Sequence, residues 1–288
     1  MSLSLSQIFT QKMKRRTSKP SIESAKKSKV GTMKNAPTWF DEDDFNVSLN
    51  LVKVLSAPPA GDLTSELKKT RFIKACDNLA SFCWVDTVLE KVFHVLGDKP
   101  DHWAIFADLA LVNTIDFNDP DATKFIVQHG ANVNIQLISN STPLLHAIKN
   151  GYTELTDLLL DKGANVNASD EWGWNSVYYA VGSAELAPAY EHRPPKDYIY
   201  VLKRVISMNA DVNAISDHKQ TPLHHAAQNG NVKAVQILLD SGANAAAKDC
   251  DGKTPSDLCE RCYNPDEQSE MDECKRLLQE AMENQQKL

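Results

Sequence analysis

Four thiols gather towards the C-terminal end: Cys250, Cys259, Cys262 and Cys274. Cys259-Glu260-Arg261-Cys262 has the two-residue spacing that zinc sites use. Such pairs usually stand on a knuckle, whereas this one lies inside a helix-forming stretch. One imidazole, His224, follows a Thr-Pro-Leu triplet with neither a nucleophile nor metal-ligand spacing beside it. There is no glycine-rich phosphate loop, no G-x-S-x-G elbow, no H-E-x-x-H and no kinase signature. The sequence therefore points to no catalytic set, no metal and no cofactor. The residues that most demand explanation are aromatic. In SDEWGWNSVYYAV, Ser169 to Val181, Trp172 and Trp174 flank one glycine. Each offers a large ring with a polar edge, the residue type enriched in binding hot spots.

The segments that carry these residues recur. Thr221-Pro222 and Thr254-Pro255 are 33 residues apart, and Thr142-Pro143 marks the same frame. GANVN occurs at Gly130 and, 33 residues on, at Gly163; it returns as NADVN at Asn209 and GANAA at Gly242. The step from 163 to 209 is 46, so that unit carries 13 extra residues. Periods of this length mean a stack of small supersecondary units. In the clearest one, TPLHHAAQNGNVKAVQILLDSGANAAAKDCDGK, Thr221 and Pro222 suit a helix start. Leu223, Ala226 and Ala227 face inward, and the alanines allow close helix approach. Gly230 turns the chain, and Val232, Val235, Leu238 and Leu239 form the stripe of a second helix. One such pair cannot bury its apolar face alone, so neighbours must stack.

The period, TPLH, the inter-helix glycine, the paired leucines and GA-x-x-N-A resemble the ankyrin repeat, over roughly half of the chain by the period criterion. Units fall at 119–141 (second half only), 142–174, 175–220 and 221–253, with a degenerate fifth from Thr254. The resemblance implies an all-α solenoid of helix pairs with projecting fingers. It also implies that fingertips and first-helix surfaces line a partner-binding face, and that His224 bonds backbone between repeats. Cys259 takes the small core slot that Ala226 holds one repeat earlier, where a free cysteine behaves as a small hydrophobe.

On the same frame Trp172 aligns with Ser139, His218 and Asp251, and Trp174 with Ser141, Gln220 and Lys253. Both tryptophans are thus expected on a finger, exposed, in one partner-binding patch with Glu171, Asp217, His218 and Gln220. The third repeat departs elsewhere too. Asn175-Ser176-Val177-Tyr178 replaces Thr-Pro-Leu-His, and the lost threonine cap is expected to cost about 1 kcal/mol. Its extra residues, 184–196, fall between two helices and must loop out to keep both stripes in phase. Tyr190, His192 and Arg193, stiffened by Pro194-Pro195, are expected to extend the binding surface.

Residues 1–40 hold nine Lys and Arg against Glu23 alone. That segment is +8, and the remainder is −15 within a whole-chain charge of −7. Lys14, Arg15, Lys26, Lys27 and Lys29 form two clusters across a ten-residue spacer, resembling a bipartite nuclear import signal that would engage the import machinery. A mitochondrial presequence and a solvated tail are the competing readings. No aromatics interleave with the lysines, which disfavours nucleic acid as partner. The acidic-aromatic TWFDEDDF, Thr38 to Phe45, keeps three roles open: a docking motif, a partner for the tail, or the start of the next segment. No apolar run approaches a membrane span.

Residues 62–112 read as helical without the repeat signature, with stripes at Leu67, Ile73 and Cys76 and at Val85, Val88, Leu89, Val92, Phe93 and Leu96. They suit a cap that shields the first repeat. Met271, Cys274, Leu278 and Met282 stripe a charged closing helix. The expected organisation is a basic tail (1–44), a helical N-terminal cap (45–118) and an ankyrin-repeat domain with a C-terminal capping helix (119–288). The expected function is non-catalytic recognition of another protein, as adaptor, scaffold or targeting subunit in nucleus or cytoplasm. The rival readings are a microbial effector and a regulatory subunit of an enzyme.

Overall fold

Helix-spaced apolar residues organise everything that follows, and among the described residues no strand is present. The structure is a computed structural model that describes residues 46, 48–53, 66–80, 86–182, 197–259 and 265–285. The basic tail, TWFDEDDF, the 184–196 insert and Cys262 lie outside the described residues. The chain divides into two compact units between Ile138 and Ser139.

In the first unit, α1 (Glu66–Ala80) and α2 (Asp86–Leu96) bury their expected stripes, with Ile73, Cys76, Val88, Leu89, Val92 and Leu96 all in the core. Two further helices, α3 (Pro100–Asp116) and α4 (Pro120–Gln128), pack on each other. Here the reading of 119–141 as a half repeat is corrected. The C-terminal part of α3 occupies the place of its missing first helix. Leu109 stands where Thr142 stands one period later, so no Thr-Pro start marks it. Asn118 (φ 50°) takes the inter-helix glycine position, and the Asp119 carboxylate caps α4 by accepting from the Ala122 N–H at 3.1 Å. An aromatic cluster ties α2, α3 and α4 together. The Trp103 indole donates to the His129 carbonyl at 2.6 Å, and Phe93 meets both rings edge-on at 4.9 and 4.3 Å.

The second unit stacks three helix pairs and a closing one. The pairs are α5 (Pro143–Asn150) with α6 (Thr153–Asp161), α7 (Ser176–Gly182) with α8 (Tyr198–Ser207), and α9 (Pro222–Gln228) with α10 (Val232–Asp240). First helices pack on first helices and second on second. In the closing repeat the first helix shrinks to a single 3-10 turn, Pro255–Leu258. The second becomes the 21-residue α11 (Pro265–Gln285), burying Met271, Cys274 and Leu278. Cys259 is half-buried near the Ala227 carbonyl, and burial pushes its thiol up to about 11. On either side of the insert the stripes stay in phase: Val177, Ala180 and Val181 of α7 and Val201, Leu202 and Val205 of α8 are buried.

Caps follow the sequence, with one correction. Thr142 accepts from the Leu145 N–H at 3.3 Å, and Thr221 and His224 bond each other reciprocally. His224 Nε2 also meets the Lys253 carbonyl at 3.2 Å, the backbone role expected for it. At Asn175 the cap is not lost. Its Oδ1 accepts from the Tyr178 N–H at 3.1 Å, while its Nδ2 donates to the Asp211 carbonyl at the far end of the same repeat at 2.9 Å. Asparagine caps as well as threonine does, and its amide adds a donor that threonine lacks at that reach.

The GANVN motif supplies the clamp between repeats. Its third residue closes a local turn: Asn165 Oδ1 accepts from Asn167 N–H at 3.0 Å, and Asp211 Oδ1 from Asn213 N–H at 2.8 Å. Its fifth reaches forward with both ends of its amide. Asn167 donates to the Asn209 carbonyl at 3.2 Å and accepts from the Asp211 N–H at 2.8 Å. Asn213 does the same to Gly242 and Asn244, at 3.1 and 2.8 Å. At the last repeat Ala246 takes the clamp position, and Gln285 of α11 instead reaches back to Ala243 and Ala245, at 2.9 and 3.0 Å. We expect Asn213→Ala to lower unfolding free energy by about 1–2 kcal/mol, because it leaves two backbone groups without partners. Chemical denaturation measures this, and an unchanged midpoint contradicts the clamp.

Candidate functional site

The finger that carries the tryptophans is closed by one buried carboxylate. Asp170 is 6% exposed; its Oδ1 accepts from the N–H groups of Trp172 and Trp174, each at 3.0 Å. Its N–H donates to the Trp174 carbonyl at 3.2 Å, and its Oδ2 takes the Tyr179 hydroxyl at 2.5 Å. Asp249 closes the last finger in the same way, on the N–H groups of Asp251 and Lys253. In the finger between them Ser216 substitutes, accepting from the Gln220 N–H at 3.2 Å. Gly173 completes the turn at φ 78°, and a Cβ there would lie 2.9 Å from the Ile215 carbonyl. Glycine is needed for both the conformation and the approach of the neighbouring finger.

Single backbone bonds join the fingertips in series. Glu171 N–H donates to Ser139 O at 2.8 Å, Asp217 N–H to Trp172 O at 3.0 Å, and Cys250 N–H to His218 O at 3.0 Å. Glu171, Trp172, Asp217 and His218 are thereby placed on adjoining fingers, and all four are exposed. Gln220 is half-buried instead, its amide 3.5 Å from Asp249 on the next finger. Tyr190, His192, Arg193, Lys14, Arg15, Lys26, Lys27 and Lys29 lie outside the described residues.

The two tryptophans are not an equivalent exposed pair. Trp172 is 48% exposed, but Trp174 is half-buried. Trp174 stacks on Tyr178 at 4.6 Å and 18°, meets Tyr179 at 5.6 Å, and leads through Tyr178 to His225, stacked at 5.0 Å. Trp174 anchors the finger to α7 and Trp172 projects from it. The ring centroids are 6.2 Å apart, inclined at 53°. Burial pushes the Tyr178 phenol up to about 12, against the opposing effect of its bond to Ser216. Burial, the Asp170 bond and the charges of Asp170 and Glu171 raise Tyr179 as well. Both phenols therefore act as neutral donors. Burial lowers His225, leaving a neutral imidazole in the stack.

Ile215 had no place in the sequence reading, yet at 63% exposure it is the most exposed of the large apolar residues described. Gln136, Ser169 and Lys248 hold its position in the other repeats. That contrast was available in the frame. Trp172 and Ile215 thus lie on adjacent fingers joined by the Asp217 N–H to Trp172 carbonyl bond, each next in sequence or nearly so to an exposed carboxylate, Glu171 and Asp217. Among the described residues no three His, Cys, Asp or Glu side chains converge to hold a metal ion.

The family description "Ankyrin repeats (3 copies)" matches residues 109–188 and 196–285. The chain belongs to the ankyrin-repeat family, whose repeats are non-catalytic modules of protein–protein interaction. It is 30% identical over 139 residues to the palmitoyltransferase AKR1 of Lachancea kluyveri, covering 48% of this chain and 18% of that protein. To the palmitoyltransferase ZDHHC13 of Homo sapiens it is 30% identical over 185 residues, covering 54% and 27%. To Ankyrin repeat and SOCS box protein 6 of Homo sapiens it is 29% identical over 152 residues, covering 50% and 34%. The chain therefore spans about a third or less of these curated relatives.

Two outcomes follow from this geometry. Lys219 holds the fingertip position of Gly173 at φ 57°, a left-handed conformation that a side chain disfavours. Lys219→Gly should raise the denaturation midpoint, by on the order of 0.5 kcal/mol once the freedom of the unfolded glycine is offset. A lower midpoint contradicts it. Burial depresses both His224 and His225, the former against its Lys253 bond and the Asp249 charge. A depressed histidine stabilises the fold above its unfolded pKa of about 6.5 and loses that contribution as pH falls through the folded value. Melting should therefore drop by several degrees between pH 7.5 and 5.5, and His225→Gln should flatten part of the slope. A melting temperature independent of pH in that window contradicts the neutral, buried assignment.

Proposed function

We propose that the second unit recognises a protein partner through its fingertips, and that the chain serves as an adaptor, scaffold or targeting subunit without catalysis of its own. The observation that carries this reading is the exposure of Trp172 and Ile215 on adjoining fingers. Of the other large apolar residues described in the unit, Tyr200 and Met208 are exposed as well, but each contacts a charged side chain, Asp157 and Arg204 respectively. A rigid apolar pair with a charged rim is the composition of an interface hot spot. Tyr190, His192 and Arg193 of the insert are assigned to the same partner in this reading, on their aromatic and hydrogen-bonding side chains alone. A second reading has support from the likeness to two palmitoyltransferases: the repeats deliver a partner to an enzyme. A microbial effector acting on host proteins uses the same surface.

Affinity capture with the full chain, followed by quantitative binding of the captured partner, tests this. Trp172→Ala and Ile215→Ala should each weaken the partner by about 2 kcal/mol with the melting temperature unchanged. Equal affinity in both variants, with native folding, removes the fingertips from the interface.

We further propose that Lys14, Arg15, Lys26, Lys27 and Lys29 address the chain to the nucleus through the import machinery. A fluorescent fusion should move to the cytoplasm when Lys26, Lys27 and Lys29 are changed to alanine. Mitochondrial localisation, or cleavage of the N-terminal segment, decides for a presequence instead.

A further inference from the structure

Trp172 and Trp174 form more than an apolar contact surface. Their rings are inclined at 53° with centroids 6.2 Å apart, a wedge rather than a pair of parallel plates. A compact cation at the mouth of such a wedge can lie within about 6 Å of both centroids, the range over which an aromatic face attracts it. A planar guanidinium prefers to lie flat on a ring and fits a wedge less well. Indole is the strongest of the aromatic faces for this purpose.

Three further observations bear on what would occupy the wedge. Glu171 is exposed directly beside it, held by the bond from its own N–H to Ser139 O at 2.8 Å. Asp217 is exposed on the next finger, its N–H on the Trp172 carbonyl at 3.0 Å. Among the described residues neither carboxylate is in an ion pair, so both remain free to meet a cation. The same aromatic cluster already attracts one ammonium of the chain itself: Lys149 Nζ lies 5.8 Å from the centroid of the Tyr179 ring. One side of the wedge is held from beneath: Asp170 binds the backbone N–H groups of both tryptophans, and Tyr178 stacks under the Trp174 ring.

We propose that Trp172, Trp174 and Glu171 form a receptor for one ammonium side chain, a lysine or its N-methylated form, on an extended segment of the protein partner, with exposed Ile215 taking an apolar residue beside it. The proposal rests on the reading that the fingertips bind a protein. It adds the chemistry of the residue they select. Replacing the ammonium's water shell with two rings and a carboxylate favours the weakly hydrated methylated form over free lysine, and either over a neutral side chain of the same length.

The test uses the full chain labelled with ¹⁵N at tryptophan, so that each indole N–H reports separately. The probes are the N-acetyl methylamides of lysine, trimethyl-lysine, arginine and norleucine, at constant ionic strength. Saturable shifts of the Trp172 and Trp174 signals are expected with both lysine probes, tightest for trimethyl-lysine, weaker with arginine and absent with norleucine. Glu171→Gln should weaken the lysine probe by about twofold to fivefold. Trp172→Leu, which keeps an apolar residue but removes the π face, should abolish the response at unchanged melting temperature. Shifts as large with norleucine, tighter binding of arginine, full binding by Trp172→Leu or no saturable response to any lysine probe each overturn the proposal. Partner affinity of the same Trp172→Leu variant separates the two levels. If it falls while the lysine probes fail, the fingertips bind a partner by other chemistry; if it holds while they succeed, the wedge takes cations but the fingertips are not the interface.

Discussion

A single amide, given twice, fixes how the second unit is assembled. Asn167 and Asn213 each satisfy one carbonyl and one N–H of the repeat that follows, so neighbouring repeats are held by directional bonds as well as apolar contact. Apolar stacking alone is non-directional and would tolerate sliding. The clamp sets the spacing of the fingers, and only at that spacing can Glu171, Asp217 and Cys250 each bond the finger before it. The amide is absent at Ala246, where the closing repeat offers no GANVN-type turn to hold, and Gln285 of α11 bonds the Ala243 carbonyl and the Ala245 N–H instead.

The third repeat breaks the pattern of its neighbours at several positions, and each break has a local answer. Asn175 replaces threonine, and caps α7 while reaching Asp211. Tyr178 takes the slot of His224 and bonds the Ser216 side chain on the next finger, whereas His224 bonds the Lys253 carbonyl. Tyr179 brings a hydroxyl to Asp170, the carboxylate that already closes the tryptophan finger. At these three positions polar groups keep their partners, whereas the exposed apolar surfaces of Trp172 and Ile215 on the fingers have no such local answer. Departures from a fold's own rules that are not compensated structurally are where function is expected.

Much of this was legible in the sequence, because stacking writes itself as a period. The 33-residue frame located the helix pairs, the caps at Thr142, Thr221 and Thr254 and the tryptophan finger, and the ankyrin resemblance implied the backbone role of His224. The first helix of the first repeat escaped notice because α3 runs through its start with Leu109 where threonine would mark one, and a continuous helix needs no cap at that point. The separate fates of Trp172 and Trp174 were hidden for a different reason. Both rings occupy turn positions, where side-chain direction depends on what packs beneath, and Tyr178 lies under only one of them. Ile215 was readable by comparison across repeats, but composition conceals one isoleucine in a chain rich in aliphatic residues. Asn175 looked like a lost cap because the frame compares residue types, whereas the helix requires only an acceptor at the right place.

Hydrogen exchange on the second unit, with and without a bound protein partner, tests the central claim most directly. The claim is that the finger series is the recognition surface and the clamped helices are its frame. Added protection is expected at residues 169–174 and 215–220, with the amides of α6, α8 and α10 unchanged. Protection confined to those second helices, with both fingertip segments exchanging as in the free protein, would contradict it.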